Sequence, residues 1–149
     1  MIKKKIIVIS LIFFLTNCGF SPIYLENTDF NFSIEQVNYT GDRDLNNFLK
    51  TNLIKYKNEK SDNKIYIEAK STYRKIILSK DGAGGITGYQ LEAEVIFSIM
   101  PLNKKIKINE KKIMDSRDDK FEEARYERSI KQNFASAISN KLSTELIVN

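Results

Sequence analysis

Hydrophobic and polar residues alternate along four segments of the chain, and this two-residue period is typical of β-strands that bury one face. The segments cover residues 30–35, 64–78, 88–100 and 106–114. In the first segment the alternation slips at Gln36, where the pattern predicts either a bulge or the end of the strand. The third segment alternates most cleanly, and it places Phe97 on the apolar face, where we expect it to be buried.

Two further segments place apolar residues three or four positions apart, which is the spacing of an amphipathic helix. The first stripe consists of Leu45, Phe48, Leu49, Leu53 and Tyr56. The second stripe consists of Ile130, Phe134, Ala137, Ile138, Leu142 and Leu146. Asp42 or Asp44 can cap the first helix. Ser116, Asp118 and Asp119 can cap or begin the second one.

The connections between these elements decide the predicted topology. Strands two to four are joined by a glycine-rich hairpin loop, Ser79–Thr87, and by a turn at residues 101–104, so they pair antiparallel. The helix after strand one allows strands one and two to lie parallel. The sequence therefore predicts an α+β fold, a two-layer sandwich with a four-stranded mixed sheet and two helices packed on one face. We expect Phe134 to be buried in the core together with Phe97. The polar face of the sheet should be exposed to solvent or contact a partner.

The beginning of the chain shows a different pattern. Lysines at positions 3–5 precede an apolar run over residues 6–15, and Cys18, the only cysteine, follows it. A basic start and an apolar run of this length are typical of a secretory signal, because the run is too short to span a bilayer. Leucine three positions before the cysteine and a small residue two positions before it resemble the lipobox of bacterial lipoproteins. Asn17, directly before the cysteine, departs from that pattern.

These features divide the chain into a lipoprotein signal peptide (1–17), a lipid anchor and tether (18–29) and a single α+β domain (30–149). An uncleaved N-terminal anchor with an incidental cysteine is the alternative. More than one acyl chain on Cys18 gives a stable anchor, since each buried methylene contributes about 0.8 kcal/mol. Gly19 stands where an aspartate usually retains lipoproteins in the inner membrane. By resemblance to lipoprotein sorting, we expect the periplasmic face of the outer membrane.

Charge and composition narrow the class of partner. The formal net charge of +5 falls to +2 without the three lysines of the signal, because 21 basic residues then face 19 acidic ones. So weak a field does not attract a phosphate backbone, and we expect no nucleic-acid partner. The chain from Cys18 onward is long enough for one domain with one core. No disulfide can brace that domain, because no further cysteine is present.

The chain offers little catalytic chemistry. It contains no histidine, which excludes histidine-based triads and metal clusters, and we expect neither a metal nor a cofactor. The segment Gly82–Gly85 lacks the Gly-Lys-Ser/Thr ending of a phosphate-binding loop and precedes a strand. Glu92 and Glu94 share a polar strand face, but the chain has no tryptophan as a sugar platform, so a glycosidase pair is poorly supported. The sequence indicates a binding or structural protein rather than an enzyme.

Four stretches carry a resemblance to a known family. The run Cys18-Gly19-Phe20-Ser21-Pro22-Ile23-Tyr24 resembles the Cys-Gly-Phe-x-Pro-Leu-Tyr start of the LptE-type lipopolysaccharide-assembly lipoproteins of alphaproteobacteria. The strand-Gly-Asp-helix segment 34–56, Gly-Tyr-x-Leu at residues 88–91 and the helix entry at residues 125–128 agree with it. The likeness covers nearly the whole chain after Cys18, and it depends on the combination with the predicted order of elements.

The resemblance implies a function that composition does not. Such proteins sit as a plug and assembly partner inside the large outer-membrane β-barrel of the lipopolysaccharide translocon, the LptD-type barrel. They also bind lipopolysaccharide and help deliver it to the outer leaflet. The rival interpretation is a generic outer-membrane lipoprotein scaffold of another envelope assembly machine, without lipopolysaccharide binding. An envelope enzyme that uses carboxylates alone is a third alternative.

Basic residues at one end of the fold contact the phosphates of the lipid in that family. By placement, the candidates for contact with the barrel or with lipopolysaccharide are Lys80, Gly82, Gly84 and Gly85 in the glycine-rich loop, and Lys120 near the start of the last helix. A lysine could meet a phosphate as a point charge, and the glycines permit close approach of the backbone. Surface solvation is the alternative explanation for each lysine, and a plain flexible turn is the alternative for the loop.

Overall fold

The computed structural model describes residues 32–58 and 61–147. The predicted signal peptide (1–17), the tether (18–29) and Phe30 lie outside the described residues. The elements in chain order are β1 (Ser33–Gly41), α1 (Arg43–Leu53), a 3-10 turn (Ile54–Tyr56), β2 (Lys64–Lys80), β3 (Ile86–Met100), β4 (Lys104–Asp115) and α2 (Lys120–Ile147). This order is the one that the hydrophobic periodicity predicts.

The four strands form one mixed sheet in the order β1-β2-β3-β4. β1 runs parallel to β2, while the pairs β2–β3 and β3–β4 are antiparallel. The register of β1 against β2 shifts between Ile34 and Gln36, so the slip in the pattern marks an irregularity within one strand and not its end. With the two helices, the sheet confirms the predicted two-layer α+β sandwich.

The apolar core lies between the sheet and the helices. Its buried apolar strand residues include Ile65, Ile67, Ala69, Leu91, Ala93, Val95, Phe97, Ile99, Ile106, Ile108 and Met114. Its buried apolar helix residues are Leu45, Leu49, Leu53, Ile130, Phe134, Ala135, Ile138 and Leu142. Phe97 is fully buried and Phe134 is 5% exposed, which confirms both predictions. In α2, Ala135 is fully buried, and the predicted Ala137 is only half-buried.

Local chemistry fixes the start of each helix. The Oδ1 atom of Asp42 accepts a hydrogen bond from the backbone N–H of Leu45 at 2.8 Å, which confirms Asp42 as a cap. Gly41, just before it, has a φ of +99°, and a Cβ atom there would lie 1.8 Å from the carbonyl oxygen of Ser71. Only glycine therefore fits where β1 turns into α1. Asp119 caps α2 in the same way, because its Oδ1 accepts from the N–H of Phe121 at 2.8 Å.

β2 and β3 extend well beyond the end of β1. The last residue of β1, Gly41, pairs with Ser71, whereas β2 continues to Lys80 and pairs there with β3 alone. We call residues 72–94 of this hairpin, residues 107–115 of β4 and the first turns of α2 the hairpin end. Neither helix in the described part of the chain is long and apolar enough to cross a membrane.

Candidate interface at the hairpin end

The glycine-rich loop is shorter and better ordered than its composition suggests. It comprises only residues 81–85, because Ser79 still pairs with Gly88 on β3 and Lys80 with Ile86, across irregularities in the register. The Oδ1 atom of Asp81 accepts from the backbone N–H groups of Ala83 at 2.9 Å and Gly85 at 2.8 Å. The backbone N–H of Asp81 also donates to the carbonyl of Gly85 at 2.8 Å, which closes the loop. The predicted span 79–87 was therefore too long.

Two of the three predicted loop glycines have open space where a side chain would lie. A Cβ atom at Gly82 or Gly84 would meet no atom of the described residues within 4 Å, and Gly84 has a φ of +89°. Gly85 is different, since a Cβ there would lie 2.6 Å from the Asp81 carboxylate. The backbone around Gly82 and Gly84 is thus accessible to a partner, whereas Gly85 allows the Asp81 side chain to fold over the loop.

The two predicted lysines differ in what surrounds their charges. Lys80 is the last residue of β2 rather than a loop residue, it is exposed, and no carboxylate within the described residues forms an ion pair with it. Lys120 instead donates to Glu123 Oε2 at 3.2 Å and to the carbonyl of Arg117 at 3.0 Å. The charge of Lys120 is already compensated, so the structure separates these two candidates. Cys18, the predicted lipidation site, lies outside the described residues.

Glu123 is a buried charge where the first turns of α2 meet the sheet. Its carboxylate is 7% exposed, and it accepts from the backbone N–H of Arg117 at 3.0 Å and from Lys75 Nζ at 3.0 Å. The hydrogen bond from Arg117 is the largest effect that lowers the pKa of Glu123, to about 2, although burial opposes it. Sequence analysis missed the role of Glu123 in holding Lys75 and Lys120.

Lys75 links this carboxylate to a second one further along α2. Its Nζ atom lies 2.9 Å from Glu127 Oε2 and 4.0 Å from the centre of the Tyr89 ring. Burial disfavours the charged lysine, but the hydrogen bonds to Glu127 and Glu123 outweigh it and raise the pKa of Lys75. Tyr73 donates its hydroxyl proton to Glu127 Oε1 at 2.8 Å, and burial followed by that bond raises the pKa of Tyr73. Ion pairs thus connect β2 to α2 at this end of the sheet.

The opposite face of the hairpin end carries a row of charges that spans three strands. Glu92 is 8% exposed and lies 2.8 Å from both Lys111 and Arg74. The hydrogen bond from Lys111 contributes most to lowering the pKa of Glu92, to about 2. Glu94 pairs with Lys107 at 2.9 Å. The expectation that both glutamates lie open on a wet face was wrong for Glu92, because pairing across the sheet places cations on both sides of it.

Two further features of the hairpin end were missed from the sequence. Ile76, Ile77 and Leu78 are 41%, 49% and 49% exposed, so three consecutive apolar side chains of β2 face solvent. Arg117 lies 4.4 Å from the centre of the Tyr126 ring and pairs with no carboxylate within the described residues. The pairing of Ser116 N–H with the Thr87 carbonyl, at 2.9 Å, places Arg117 at the same end as Lys80. No three His, Cys, Asp or Glu side chains in residues 32–58 and 61–147 form a group that could hold a metal.

The chain matches no protein-family model and no curated protein. Its fold is similar to that of rare lipoprotein B from Shewanella oneidensis, with a TM-score of 0.56 and 13% identity over 74% of this chain and 92% of that one. It is also similar to uncharacterized lipoprotein B from Nitrosomonas europaea, with a TM-score of 0.55 and 14% identity over 79% and 86% of the two chains. A minor lipoprotein from Acinetobacter baumannii matches with a TM-score of 0.50 and 16% identity over 74% and 93%.

These identities are low, so the comparisons concern the fold. The chain spans most of the length of each of the three proteins, which means that their shared architecture is the whole described domain and not a fragment of it. The two-layer sandwich of four strands and two helices is therefore an architecture that bacterial lipoproteins adopt.

Proposed function

We propose that the protein is a non-catalytic lipoprotein of the outer membrane, anchored through lipid on Cys18, with its domain on the periplasmic side. In this proposal the domain is a plug and assembly partner of the lipopolysaccharide-translocating β-barrel, and it binds lipopolysaccharide on the way to the outer leaflet. This is the function of the LptE-type family that the sequence resembles. The chemistry required is recognition of a phosphorylated lipid and of a polar barrel lumen.

One observation carries the proposal: a chain with a lipidation pattern of its own has the fold of three bacterial lipoproteins. The two facts are independent, since the lipidation pattern lies in residues 1–18 and the fold match rests on the domain. Because the N-terminal lipidation pattern and the fold agree, they support a lipoprotein more strongly together than either does alone.

The hairpin end suits the two contacts that the proposal needs. A polar lumen requires polar groups on the plug, and the outer sheet face presents Lys107, Lys111 and Arg74 around their glutamates. A phosphate requires a cation whose charge is not already neutralised, and Lys80 and Arg117 meet that condition within the described residues. Lys120 does not, because Glu123 already holds it.

Recovery of partners from solubilised envelope tests the function. The tagged wild type should bring down a large β-barrel together with lipopolysaccharide, both above the level obtained with an unrelated tagged outer-membrane lipoprotein. The Cys18→Ala chain serves to separate anchoring from recognition, because the domain contacts do not involve the cysteine. A barrel without lipopolysaccharide would favour the rival scaffold function, and recovery of neither would refute the proposal.

Growth with labelled palmitate tests the anchor separately. The wild type should incorporate the label. Cys18→Ala should not, because it lacks the sulfur atom to which the thioether lipid is attached. Equal labelling of the two chains would show that lipid is attached elsewhere or that the label is incidental. This experiment is informative whatever the outcome of the partner recovery.

A further inference from the structure

The part of β2 that extends beyond β1 is an open sheet edge. Pairing with β1 stops at Ser71, so residues 72–80 have a neighbouring strand on one side only. An open edge presents unpaired backbone N–H and C=O groups and is a template for another strand. The register with β3 is regular from Thr72 to Ile77, and irregularities begin only between Ile77 and Ser79. This regular stretch could therefore pair with a further strand on its open side.

The backbone groups that face the open side can be identified. The carbonyl of Ser71 points toward β1, since it accepts from the N–H of Asp42 at 3.4 Å. The direction of the backbone groups alternates along a strand, so the N–H and C=O groups of Tyr73, Lys75 and Ile77 point to the same side as those of Ser71. Beyond Ser71 no strand of the described part of the chain lies on that side. Six backbone hydrogen-bonding groups are thus available to an incoming strand.

The middle of this edge carries exposed apolar side chains that a partner strand could cover. Ile76 and Ile77 are 41% and 49% exposed, and Leu78 is exposed as well. Natural edge strands are usually protected by charged side chains, especially lysine, or by shortness. Lys75 offers little protection, because Glu123 and Glu127 hold its ammonium group on the face that α2 covers. The apolar middle of this nine-residue edge is therefore left unguarded, and the exposed cations Arg74 and Lys80 flank it.

Physical arguments separate the possible occupants. A lipid bilayer is a poor match, since unpaired backbone groups are costly in hydrocarbon. A second copy of the chain is also disfavoured. Residues 72–80 contain Arg74, Lys75 and Lys80 but no aspartate or glutamate, so a second copy of this edge offers Lys80 no carboxylate. A strand with carboxylates avoids both problems, because it satisfies the backbone groups and complements the exposed Lys80.

We propose that residues 72–80 form a strand-addition site for an extended segment of another protein, whose middle is apolar and whose ends are acidic. The partner strand pairs with Tyr73, Lys75 and Ile77 through the backbone, packs apolar side chains beside Ile76 and Leu78, and places a carboxylate near Lys80. The site shares Lys80 with the phosphate contact of the proposed function, but its backbone pairing does not depend on lipopolysaccharide or on a barrel.

A defined peptide tests the site on the full chain in detergent. The probe is an end-capped nine-residue peptide of five central valines with two glutamates at each end, compared with the same peptide N-methylated at every amide. The valine-glutamate peptide should bind and slow hydrogen exchange at the amides of Tyr73, Lys75 and Ile77. The N-methylated peptide should not bind, because it lacks the backbone donors and is hindered from strand pairing. A valine-lysine peptide should bind more weakly, since Lys80 repels it.

A proline at Ile77 provides the matched test on the protein side. Ile77→Pro removes an N–H that faces the open edge and leaves the ladder with β3 intact, so the fold tolerates it as edge strands do. It should weaken peptide binding by about tenfold or more, as expected for the loss of one hydrogen bond together with steric hindrance. Ile77→Ala keeps the N–H and should change binding by less than about threefold. Unfolding curves of the two variants show whether the domain is intact.

Three results would overturn the proposal. The first is no protection of Tyr73, Lys75 and Ile77 by the valine-glutamate peptide. The second is equal binding of the N-methylated peptide, because contact would then involve side chains alone. The third is concentration-dependent dimerisation of the wild type that Ile77→Pro abolishes, since the edge would then pair with a second copy. The peptide comparison uses the wild type, so it decides the matter even if a variant fails to fold.

Discussion

The middle of the sheet and the hairpin end are built on the same strands but held by different forces. In the middle, Val95 and Phe97 are completely buried under the helices. At the hairpin end the same face of the sheet carries Tyr73 and Lys75, which α2 reaches through Glu123 and Glu127. Apolar burial is not directional and gives stability, whereas ion pairs give position at little net gain. Apolar burial therefore stabilises the middle of the sheet, while ion pairs position α2 on the hairpin end.

The largest expected effect on stability comes from substitutions in the apolar core. Phe97→Ala and Phe134→Ala should each lower the free energy of unfolding by about 3–5 kcal/mol, because each leaves a cavity in a closely packed core. Thr72→Ala and Lys50→Ala, on exposed positions, should cost less than about 0.5 kcal/mol. Chemical denaturation of the four variants measures these differences. Similar losses for all four would contradict the assignment of buried and exposed faces.

A smaller effect is expected from the polar network. Glu123→Gln removes the charge that holds Lys75, Lys120 and the Arg117 backbone, and it should cost about 1–3 kcal/mol because charge-assisted hydrogen bonds to a buried acceptor are weakened. Glu122→Gln is the matched control, since Glu122 is 46% exposed and pairs only with exposed Arg125. It should cost less than about 0.5 kcal/mol. A large loss in the control as well would mean that helix propensity, and not burial of the carboxylate, decides the result.

The same network predicts how stability depends on pH. The pKa values of Glu92 and Glu123 are about 2 in the folded protein, below the ordinary value of about 4.5. A carboxyl whose folded pKa is lowered contributes stability that is fully present above its unfolded pKa and is lost as the pH falls through the folded pKa. We therefore expect stability from these two groups to be constant from neutral pH to about 5, and to be lost between about 4.5 and 2.

Denaturation curves between pH 7 and pH 2 test this expectation. The wild type should lose stability across the acid window, and Glu123→Gln should lose less of it, because one of the two titrating groups is gone. Glu122→Gln should follow the wild type. If Glu123→Gln and the wild type lose stability in parallel, the lowered pKa of Glu123 does not contribute to acid unfolding.

The contrast between the two regions also explains what the sequence could predict. Local periodicity predicted the buried faces around Phe97 and Phe134, and it indicated the irregularity at Gln36 and the cap at Asp42. These features depend on residues a few positions apart or on the period of one element. The core could therefore be predicted without knowing how the strands align.

The hairpin end could not be predicted in the same way. Glu92 is buried because strand register brings Arg74 and Lys111 to either side of it, and the three residues come from three different strands. Lys75 meets Glu123 across 48 positions of sequence, which depends on how α2 docks. The lysine chosen near the helix start, Lys120, looked free only because its acceptor was unknown. Interactions of this kind follow from tertiary placement, for which a single sequence gives no pattern.

The smallest effect on stability, and the most informative one for function, is expected at the loop and Lys80. Replacing residues 81–85 by Asn-Gly should leave the domain folded, because Lys80 and Ile86 already face each other as the ends of a two-residue hairpin turn require. If the loop contacts the barrel, barrel levels in cells should fall although the unfolding curve of the domain does not change. Normal barrel levels with the shortened loop would remove the loop from the interface.

Lys80→Glu distinguishes binding of lipid from contact with the barrel. It should change stability by less than about 0.5 kcal/mol, since Lys80 is exposed and has no ion pair within the described residues. Lipopolysaccharide binding should weaken by roughly fivefold, the contribution of an exposed ion pair worth about 1 kcal/mol. The loss should be greater at low salt, where charges are screened least. Lys50→Glu makes the same charge change on the exposed side of α1, so equal weakening there would indicate an effect of net charge rather than a phosphate contact at the hairpin end.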